Sequence, residues 1–342
     1  MLLARAIGIT RGSKALARNI SLSVNPGEML VLLGPSGSGK STLLKTLAGI
    51  LIPDSGAVTW QDQPLDAMAD HDLARLIALV PQDDIIHSRL SVESALHYAA
   101  RLRLPPDTPS AELDAAVDRV LRMTDLTEHR HTTIRRLSGG QRKRVNIGVE
   151  LLQSARVLLL DEPTSGLDPA LERDTMTLFK RLAAAGHAVV VSTHAMSSLD
   201  LADQLIVIAG GRLVFLGPPE AAGPAFEVAG PAEIFRALKT GSADEWAARF
   251  QSSPLARKAA VARRPRSGRP GAGLSDSLPK PAAKPEKPGP TKSPSPPASR
   301  ATEEATTPKT PKTAPPSDAG GDGSVDELLA RLQDEIRREE GS

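Results

Sequence analysis

The chain has 342 residues, no cysteine and a formal net charge of +2 at pH 7, which excludes disulfide bonds and metal sites with cysteine ligands. No apolar run approaches the roughly 18 to 20 residues of a membrane-spanning helix, and the first residues lack a secretory signal pattern, so we expect a cytoplasmic protein. Lys and Arg are concentrated in residues 257–312 and Asp and Glu in residues 313–342, which leaves the first part nearly neutral and makes nucleic-acid binding unlikely there.

The first predicted elements are two short strands, Leu2–Ile9 and Ile20–Val24, which we expect to form a small antiparallel layer. A third apolar run, residues 28–33, reads as a strand and is followed by helical spacing of apolar residues at 43–48. The order strand, loop, helix is the one that a phosphate-binding loop requires.

The loop between this strand and helix reads GPSGSGKST and fits the pattern G-x-x-x-x-G-K-[ST]. Its glycines allow successive backbone N–H groups to point inward, and the helix that follows adds its positive end, so the loop attracts phosphate. Lys40 is expected to reach the β- and γ-phosphates and the Ser41 hydroxyl to bind Mg²⁺. The predicted nucleotide-binding residues are Gly34, Pro35, Ser36, Gly37, Ser38, Gly39, Lys40, Ser41 and Thr42.

Later strands deliver polar residues at their ends. Residues 77–80 precede Gln82, the continuous apolar run 157–160 precedes Asp161 and Glu162, and residues 188–191 precede Ser192-Thr193-His194. Between them a mostly helical region, from about residue 85 to 150, includes Ser91 as a possible helix cap. Ligands of open α/β sheets gather at the carboxyl ends of the strands, so these polar residues should meet in one crevice. Further strands are predicted at 57–60, 204–208 and 212–215.

Two motifs make a family resemblance specific. The signature segment LSGGQ, residues 137–141, is followed about twenty residues later by an apolar strand and Asp-Glu, an arrangement that resembles the ATP-binding-cassette (ABC) ATPases. Four longer segments resemble those of the G subfamily (ABCG-like) and its bacterial relatives: VPQDDIIH, LSGGQRKRV, DEPTSGLDP and FLGPP. The resemblance covers residues 1 to about 250 and implies a P-loop NTPase of α/β class, with a RecA-like mixed-sheet core, an antiparallel β layer and a helical subdomain.

The resemblance assigns a role to each polar strand end. Gln82 matches the glutamine that contacts Mg²⁺ or the attacking water, and Asp161 matches the carboxylate that holds Mg²⁺. Glu162 matches the base that polarises the water, and His194 the histidine that contacts the γ-phosphate. Asp168 matches a residue of the loop that crosses the dimer interface. Taken singly, Glu162 or His194 would more often be an ordinary polar residue.

The signature segment implies a dimer. A second glycine-rich cradle at Ser138, Gly139, Gly140 and Gln141 opens a helix whose N–H groups can meet a phosphate. The phosphate loop of a subunit already holds that subunit's own nucleotide, so a second cradle is not needed in the same site. In the family, the signature segment of one subunit covers the ATP that its partner holds. Both half-sites are intact in this sequence, so we expect a homodimer.

One position departs from the family pattern. The family usually stacks an aromatic residue on the adenine just before a glycine in the first turn, where this chain has Arg11 before Gly12. A guanidinium can also stack on a purine, so Arg11 is predicted to contact the base, while preference for ATP over GTP stays open.

The resemblance implies an ATPase that binds ATP and Mg²⁺ and drives transport. The family's membrane domain is not found in the sequence, so we expect a permease encoded separately, export as the direction, and attachment to the cytoplasmic face of the membrane. Two alternatives remain: a soluble ABC ATPase that acts on nucleic acid or ribosomes, and an adaptor that uses nucleotide as a switch. Glu162→Gln separates the adaptor from the transporter, because an adaptor should keep its activity when hydrolysis is blocked, whereas a transporter should stall.

The remaining residues differ in composition. Residues 251–322 are rich in Pro, Lys and Ser and are predicted to be a disordered linker. Residues 323–342 are predicted to form a short amphipathic helix, which would place its apolar side in a groove of a partner or of the ATPase domain itself. The apolar side comprises Val325, Leu328, Leu329, Leu332 and Ile336.

Overall fold

The computed structural model describes residues 1–83, 86–153 and 155–257. The predicted linker beyond residue 257 and the predicted terminal helix lie outside the described residues. Among the residues described, no helix combines the length and the apolar character needed to cross a membrane.

Within the described residues, ten strands form two sheets. The smaller sheet has the order β2-β1-β4-β5 and is antiparallel throughout, as predicted for the N-terminal layer. The larger sheet has the order β10-β9-β3-β8-β7-β6, in which only the edge strand β10 is antiparallel to its neighbour. The strands are β1 Leu2–Arg11, β2 Lys14–Val24, β3 Met29–Leu33, β4 Ser55–Trp60, β5 Gln63–Pro64, β6 Ile77–Val80, β7 Val157–Asp161, β8 Ala188–Thr193, β9 Gln204–Ala209 and β10 Arg212–Gly217.

Several helices begin at a residue whose side chain caps the first turn. Ser91 accepts from Ser94 N at the start of α3, and Ser138 and Ser242 each form a capping box with the residue three positions later. The helices are α1 Lys40–Leu47, α2 Asp70–Leu76, α3 Val92–Arg103, α4 Ser110–Met123, α5 Gly139–Leu151, α6 Pro169–Ala184, α7 Ala222–Phe226, α8 Ile234–Ala237 and α9 Ala243–Ser252.

The large sheet is buried on both faces, which explains its continuous apolar strands. On β7, Leu158 and Leu160 belong to the core under the helices, while Val157 and Leu159 belong to the core that faces the small sheet and α1. The same alternation holds on β3 and β8. The predicted fold, a mixed α/β core with an antiparallel layer and helices, is therefore confirmed.

The parallel register brings the functional strand ends together. Leu33, the last residue of β3, pairs with Thr193 at the end of β8, and Asp161 at the end of β7 pairs with Ser192. Three strands thus end at one edge of the sheet, next to the N-terminus of α1. This edge is where the sequence placed its crevice.

Candidate functional site

The phosphate loop, residues 34–42, lies tightly against neighbouring backbone. A Cβ added to Gly34 would lie 2.5 Å from the carbonyl oxygen of Ile208, and one added to Gly39 would lie 2.3 Å from that of Leu16. Gly39 also has φ of +105°, which side-chain-bearing residues rarely adopt. Both glycines are therefore required by the chain's own packing, and the loop is held in place between β2 and β9.

A cavity of about 360 Å³ lies beside this loop, lined in part by Gly37, Ser38, Lys14 and Arg18. Ser38 is 6% exposed, and its Oγ makes no hydrogen bond to any described residue. A buried hydroxyl without a partner is costly, so this oxygen fits a site that is completed by a ligand. Two cationic side chains beside it suit the phosphates of a nucleotide.

Lys40, the first residue of α1, is turned back into the loop. Its Nζ lies 2.9 Å from Gly34 O, 3.3 Å from Pro35 O and 3.2 Å from Glu162 Oε1, and its side chain is only 4% exposed. A buried ammonium is stable only when it is paired and hydrogen-bonded. The loop and the carboxylate together satisfy it.

Ser192 connects the two acidic residues at the end of β7. Its Oγ donates to Asp161 Oδ1 at 2.7 Å and accepts from the backbone N–H of Glu162 at 2.9 Å. Asp161 is almost fully buried, so this hydrogen bond orients a carboxylate that has little access to water. The sequence placed Ser192 at a strand end but assigned no role to it; its pairing with Asp161 depends on the β7–β8 register.

Glu162 occupies the centre of the site. Its second oxygen, Oε2, lies 3.4 Å from His194 Nδ1 while Oε1 contacts Lys40, and its side chain is 18% exposed against 56% for His194. The backbone of Glu162 has φ of +46°, a conformation that costs a residue with a side chain roughly 1 to 2 kcal/mol. Such strain is typical of functional positions, and here it turns the side chain away from the strand direction towards the phosphate loop.

The signature segment forms the first turn of α5. Ser138 Oγ accepts from the Gln141 backbone N–H at 3.2 Å, and Gln141 Oε1 accepts from the Ser138 N–H at 2.9 Å. A Cβ on Gly139 would meet Leu167 at 3.5 Å and one on Gly140 would meet Leu171 at 3.6 Å, both ordinary contact distances. Unlike Gly34 and Gly39, these two glycines therefore have room for a methyl group within their own chain.

The other predicted residues lie around this centre. Asp168 caps α6, since its Oδ1 accepts from the N–H groups of Ala170 and Leu171 at 3.0 Å each. Gln82 is exposed beyond the end of β6, and its carbonyl oxygen accepts from Lys143 Nζ at 2.5 Å. Ser41 follows Lys40 in the first turn of α1 and is half-buried.

Arg11 is not brought to the cavity beside the phosphate loop. Its side chain is exposed and its Nη1 donates to the neighbouring Thr10 carbonyl at 3.1 Å. The hairpin residues that line the cavity are Ser13 in the turn and Lys14, Ala15, Leu16 and Arg18 on β2. The turn thus directs the cation at position 14, rather than the one at 11, towards the loop.

Comparison with known proteins extends this description. The family described as ABC transporter matches residues 17–165. The ABC transporter ATP-binding/permease protein Rv1747 of Mycobacterium tuberculosis is 46% identical over 225 residues, which are 66% of this chain and 26% of that protein. The ABC transporter G family member 22 of Arabidopsis thaliana is 39% identical over 250 residues, which are 68% of this chain and 33% of that protein.

Among solved structures, the dimeric structure of MJ0796, a bacterial ABC transporter cassette, is similar with a TM-score of 0.56 and 25% identity, over 64% of this chain and 98% of that one. The chain spans about a quarter to a third of the length of the two curated relatives. The similarity therefore concerns one domain of those proteins.

Proposed function

Because the chain belongs to the ABC transporter ATPases and is related to their G family, we propose that it hydrolyses Mg-ATP as a head-to-tail dimer to drive export through a membrane permease. ATPase activity and ATP binding follow from the family. The residue roles, the magnesium ion, the dimer, the permease and the direction of transport are the parts we propose.

The observation that carries the proposal is the position of Glu162 between Lys40 and His194. In the proposed reaction, Lys40 and His194 contact the phosphates, and Glu162 orients the attacking water and polarises it. Ser41, Gln82 and, through water, Asp161 would hold Mg²⁺, which would neutralise charge on the phosphates. Ser192 keeps Asp161 in the orientation that this requires, because it donates to one of the two carboxylate oxygens.

The exchange of partners at Lys40 is a step that the geometry favours. With its ammonium on Glu162, Lys40 holds the carboxylate away from a water molecule. A triphosphate in the loop offers Lys40 a stronger anion, which releases Glu162 for the water. Nucleotide binding and activation of the base then occur together.

The room at Gly139 and Gly140 supports the proposed dimer. None of the residues that the structure describes requires glycine at these two positions, so the requirement would come from a second subunit. A phosphate held by a second subunit, approaching the first N–H groups of α5, is such a requirement. The expected contact of Asp168 across the interface remains part of this proposal.

An apolar groove supports the proposed permease contact. A cavity of about 580 Å³ is lined by Ile50, Leu73, Ile77, Leu79 and Pro81, directly before Gln82. Ile50 is 67% exposed, and an exposed apolar side chain that adjoins an apolar groove enlarges a patch of the kind that marks interaction sites. We assign this groove to a permease segment at the cytoplasmic face of the membrane, because the mycobacterial relative's name joins an ATP-binding and a permease function. The permease is proposed to be a separate chain.

Two measurements test the proposal. Purified chain should release phosphate from ATP only when Mg²⁺ is present, with a rate that rises more than linearly with protein concentration because two subunits form each site. Chain purified from solubilised membranes should carry a polytopic protein that changes this rate. Recovery of ribosomes or DNA in place of a membrane protein would contradict transport.

A further inference from the structure

The side-chain amide of Gln141 has two defined contacts. Its oxygen accepts from the Ser138 backbone N–H at 2.9 Å, so its nitrogen is the atom that faces His129, 2.8 Å from Nε2. An amide nitrogen can only donate. His129 Nε2 is therefore the acceptor, and the neutral ring carries its proton on Nδ1.

His129 is held in place by the backbone on both sides. It ends the 3-10 turn Thr127–His129, donates from its own N–H to Leu126 O at 2.9 Å, and accepts at its carbonyl from Thr132 N, also at 2.9 Å. Leu126 is fully buried. The backbone that carries the imidazole is thus fixed next to the buried Leu126, while the Gln141 side chain that the ring contacts belongs to the signature segment.

We propose that His129 is a positioning residue of the composite ATP site, which acts by orienting Gln141 and through it the Ser138 end of α5. The inference rests on the proposed function, since it concerns the phosphate that this end of α5 meets on a second subunit. Gln141 is the residue that closes the capping box, and a free rotation of its amide would release the Ser138 N–H. The contact from His129 leaves that amide a single orientation.

The chemistry of the contact predicts which substitutions preserve it. Glutamine places its terminal oxygen about where Nε2 lies, whereas asparagine reaches only about as far as Nδ1. H129Q should therefore retain an acceptor for Gln141, and H129N should lose it although the side chain stays polar. His131, two residues further on, is 82% exposed and contacts Glu93, so H131N is a matched control in the same loop.

The test compares kcat and KM for Mg-ATP hydrolysis in the full chain, together with the binding of a fluorescent ATP analogue. H129N should lower kcat roughly three- to tenfold, about the effect of one hydrogen bond, with unchanged analogue binding because the phosphate loop is untouched. H129Q should stay within about twofold of the wild type, and so should H131N.

Three results would overturn the inference. A wild-type kcat for H129N would show that the contact does not affect hydrolysis. A kcat for H129Q as low as that for H129N would show that hydrolysis depends on the volume of the imidazole and not on the acceptor. An equal loss in H131N would assign the effect to the loop as a whole. Failure of the proposed function has a different signature, because the wild-type chain itself would then hydrolyse no Mg-ATP. That result would also overturn the inference, which rests on the proposed function.

Discussion

The Lys40 ammonium and the Glu162 carboxylate lie 3.2 Å apart and join the start of α1 to the end of β7. Only 4% of the lysine side chain is exposed, so this ion pair is weakly screened by water. The pair keeps the proposed base occupied until an anion replaces it. In the proposed reaction, the base is therefore inactive until the substrate binds.

We expect Glu162→Gln to reduce ATP hydrolysis by about 100-fold or more, because the amide cannot polarise water. Nucleotide binding should persist or tighten, since the substitution releases Lys40 to the phosphates. Phosphate release and an ATP-dependent shift to dimer in size-exclusion chromatography measure the two effects. The exposed Glu220 serves as a control, and E220Q should match the wild type; hydrolysis by E162Q at the wild-type rate would assign the base elsewhere.

Ser192→Ala should remove both hydrogen bonds that join β8 to Asp161 and Glu162. We expect the free energy of unfolding to fall by about 1 to 3 kcal/mol, since a buried carboxylate loses a donor. The Mg²⁺ concentration for half-maximal hydrolysis should rise. Ser198 is equally buried, but its Oγ has no hydrogen-bond partner among the described residues, so S198A should be neutral or stabilising. Equal losses in both variants would contradict a specific role for Ser192.

Gly140→Ala should separate stability from activity. The methyl group has room within the chain, and alanine in a helix is favoured over glycine by about 1 kcal/mol, so the melting temperature should stay or rise. Hydrolysis should nevertheless fall, because the methyl group would stand where the partner's phosphate is proposed to bind.

Gly148 provides the opposite case on the same helix. A Cβ there would lie 2.9 Å from Val120 Cγ1, so Gly148→Ala should lower the melting temperature. An active, stable G140A would argue against a phosphate at the start of α5.

Ile50→Asp should disrupt the proposed permease contact without altering the nucleotide site. The residue is 67% exposed, so the folded chain tolerates the charge and its own hydrolysis rate should stay within about twofold. Co-purification with the membrane protein should be lost. Leu102 is 59% exposed but does not line the groove; if L102D weakened the contact as much as I50D, the groove would not be the docking site.

The pH dependence of stability should contain a contribution from His187. Burial lowers the pKa of this imidazole below its ordinary 6.5, because the charged form loses hydration. Below about pH 6.5 the unfolded chain therefore binds more protons than the folded one, and the free energy of unfolding falls as the pH falls. Above that pH the contribution is fully present.

His187→Asn should flatten this dependence, because asparagine can keep a donor near Nδ1, which contacts Ala155 O at 2.7 Å, but does not titrate. Urea unfolding at pH 5.5 and 7.5 would measure the difference in the two chains. His71 is 72% exposed, and H71N should leave the wild-type slope unchanged. Equal slopes in H187N and the wild type would remove His187 as a source of the effect.

Local motifs explain how much of this site could be predicted. The phosphate loop, Asp161, Glu162 and His194 each follow a recognisable strand, so position along the chain was enough to place them. The bridge through Ser192 depends on the register between β7 and β8, and the His129–Gln141 contact on the packing of a turn against α5. Neither is encoded in the spacing of nearby residues.

Two further points mark the limits of sequence patterns. The capping box at Ser242 and Glu245 starts α9 and was visible in the sequence, yet no helix was predicted there. Arg11 was selected by its place before Gly12, and its contact with the base stays a prediction; that Lys14 of the same hairpin lines the cavity beside the phosphate loop was not anticipated. Which side of a tight turn faces a ligand depends on backbone geometry that the residue types do not fix.

The room at Gly139 and Gly140 has a consequence for mixed populations of the protein. A subunit altered at Gly140 should fold and persist, since its described interior has room for the change, and it can still pair with an unaltered subunit through the other nucleotide site. In the proposed head-to-tail arrangement, it would block hydrolysis of the nucleotide bound by an unaltered partner rather than of its own nucleotide. If the two forms were present in equal amounts and paired at random, only about a quarter of the dimers would keep both sites intact, so one defective copy would suppress a good one.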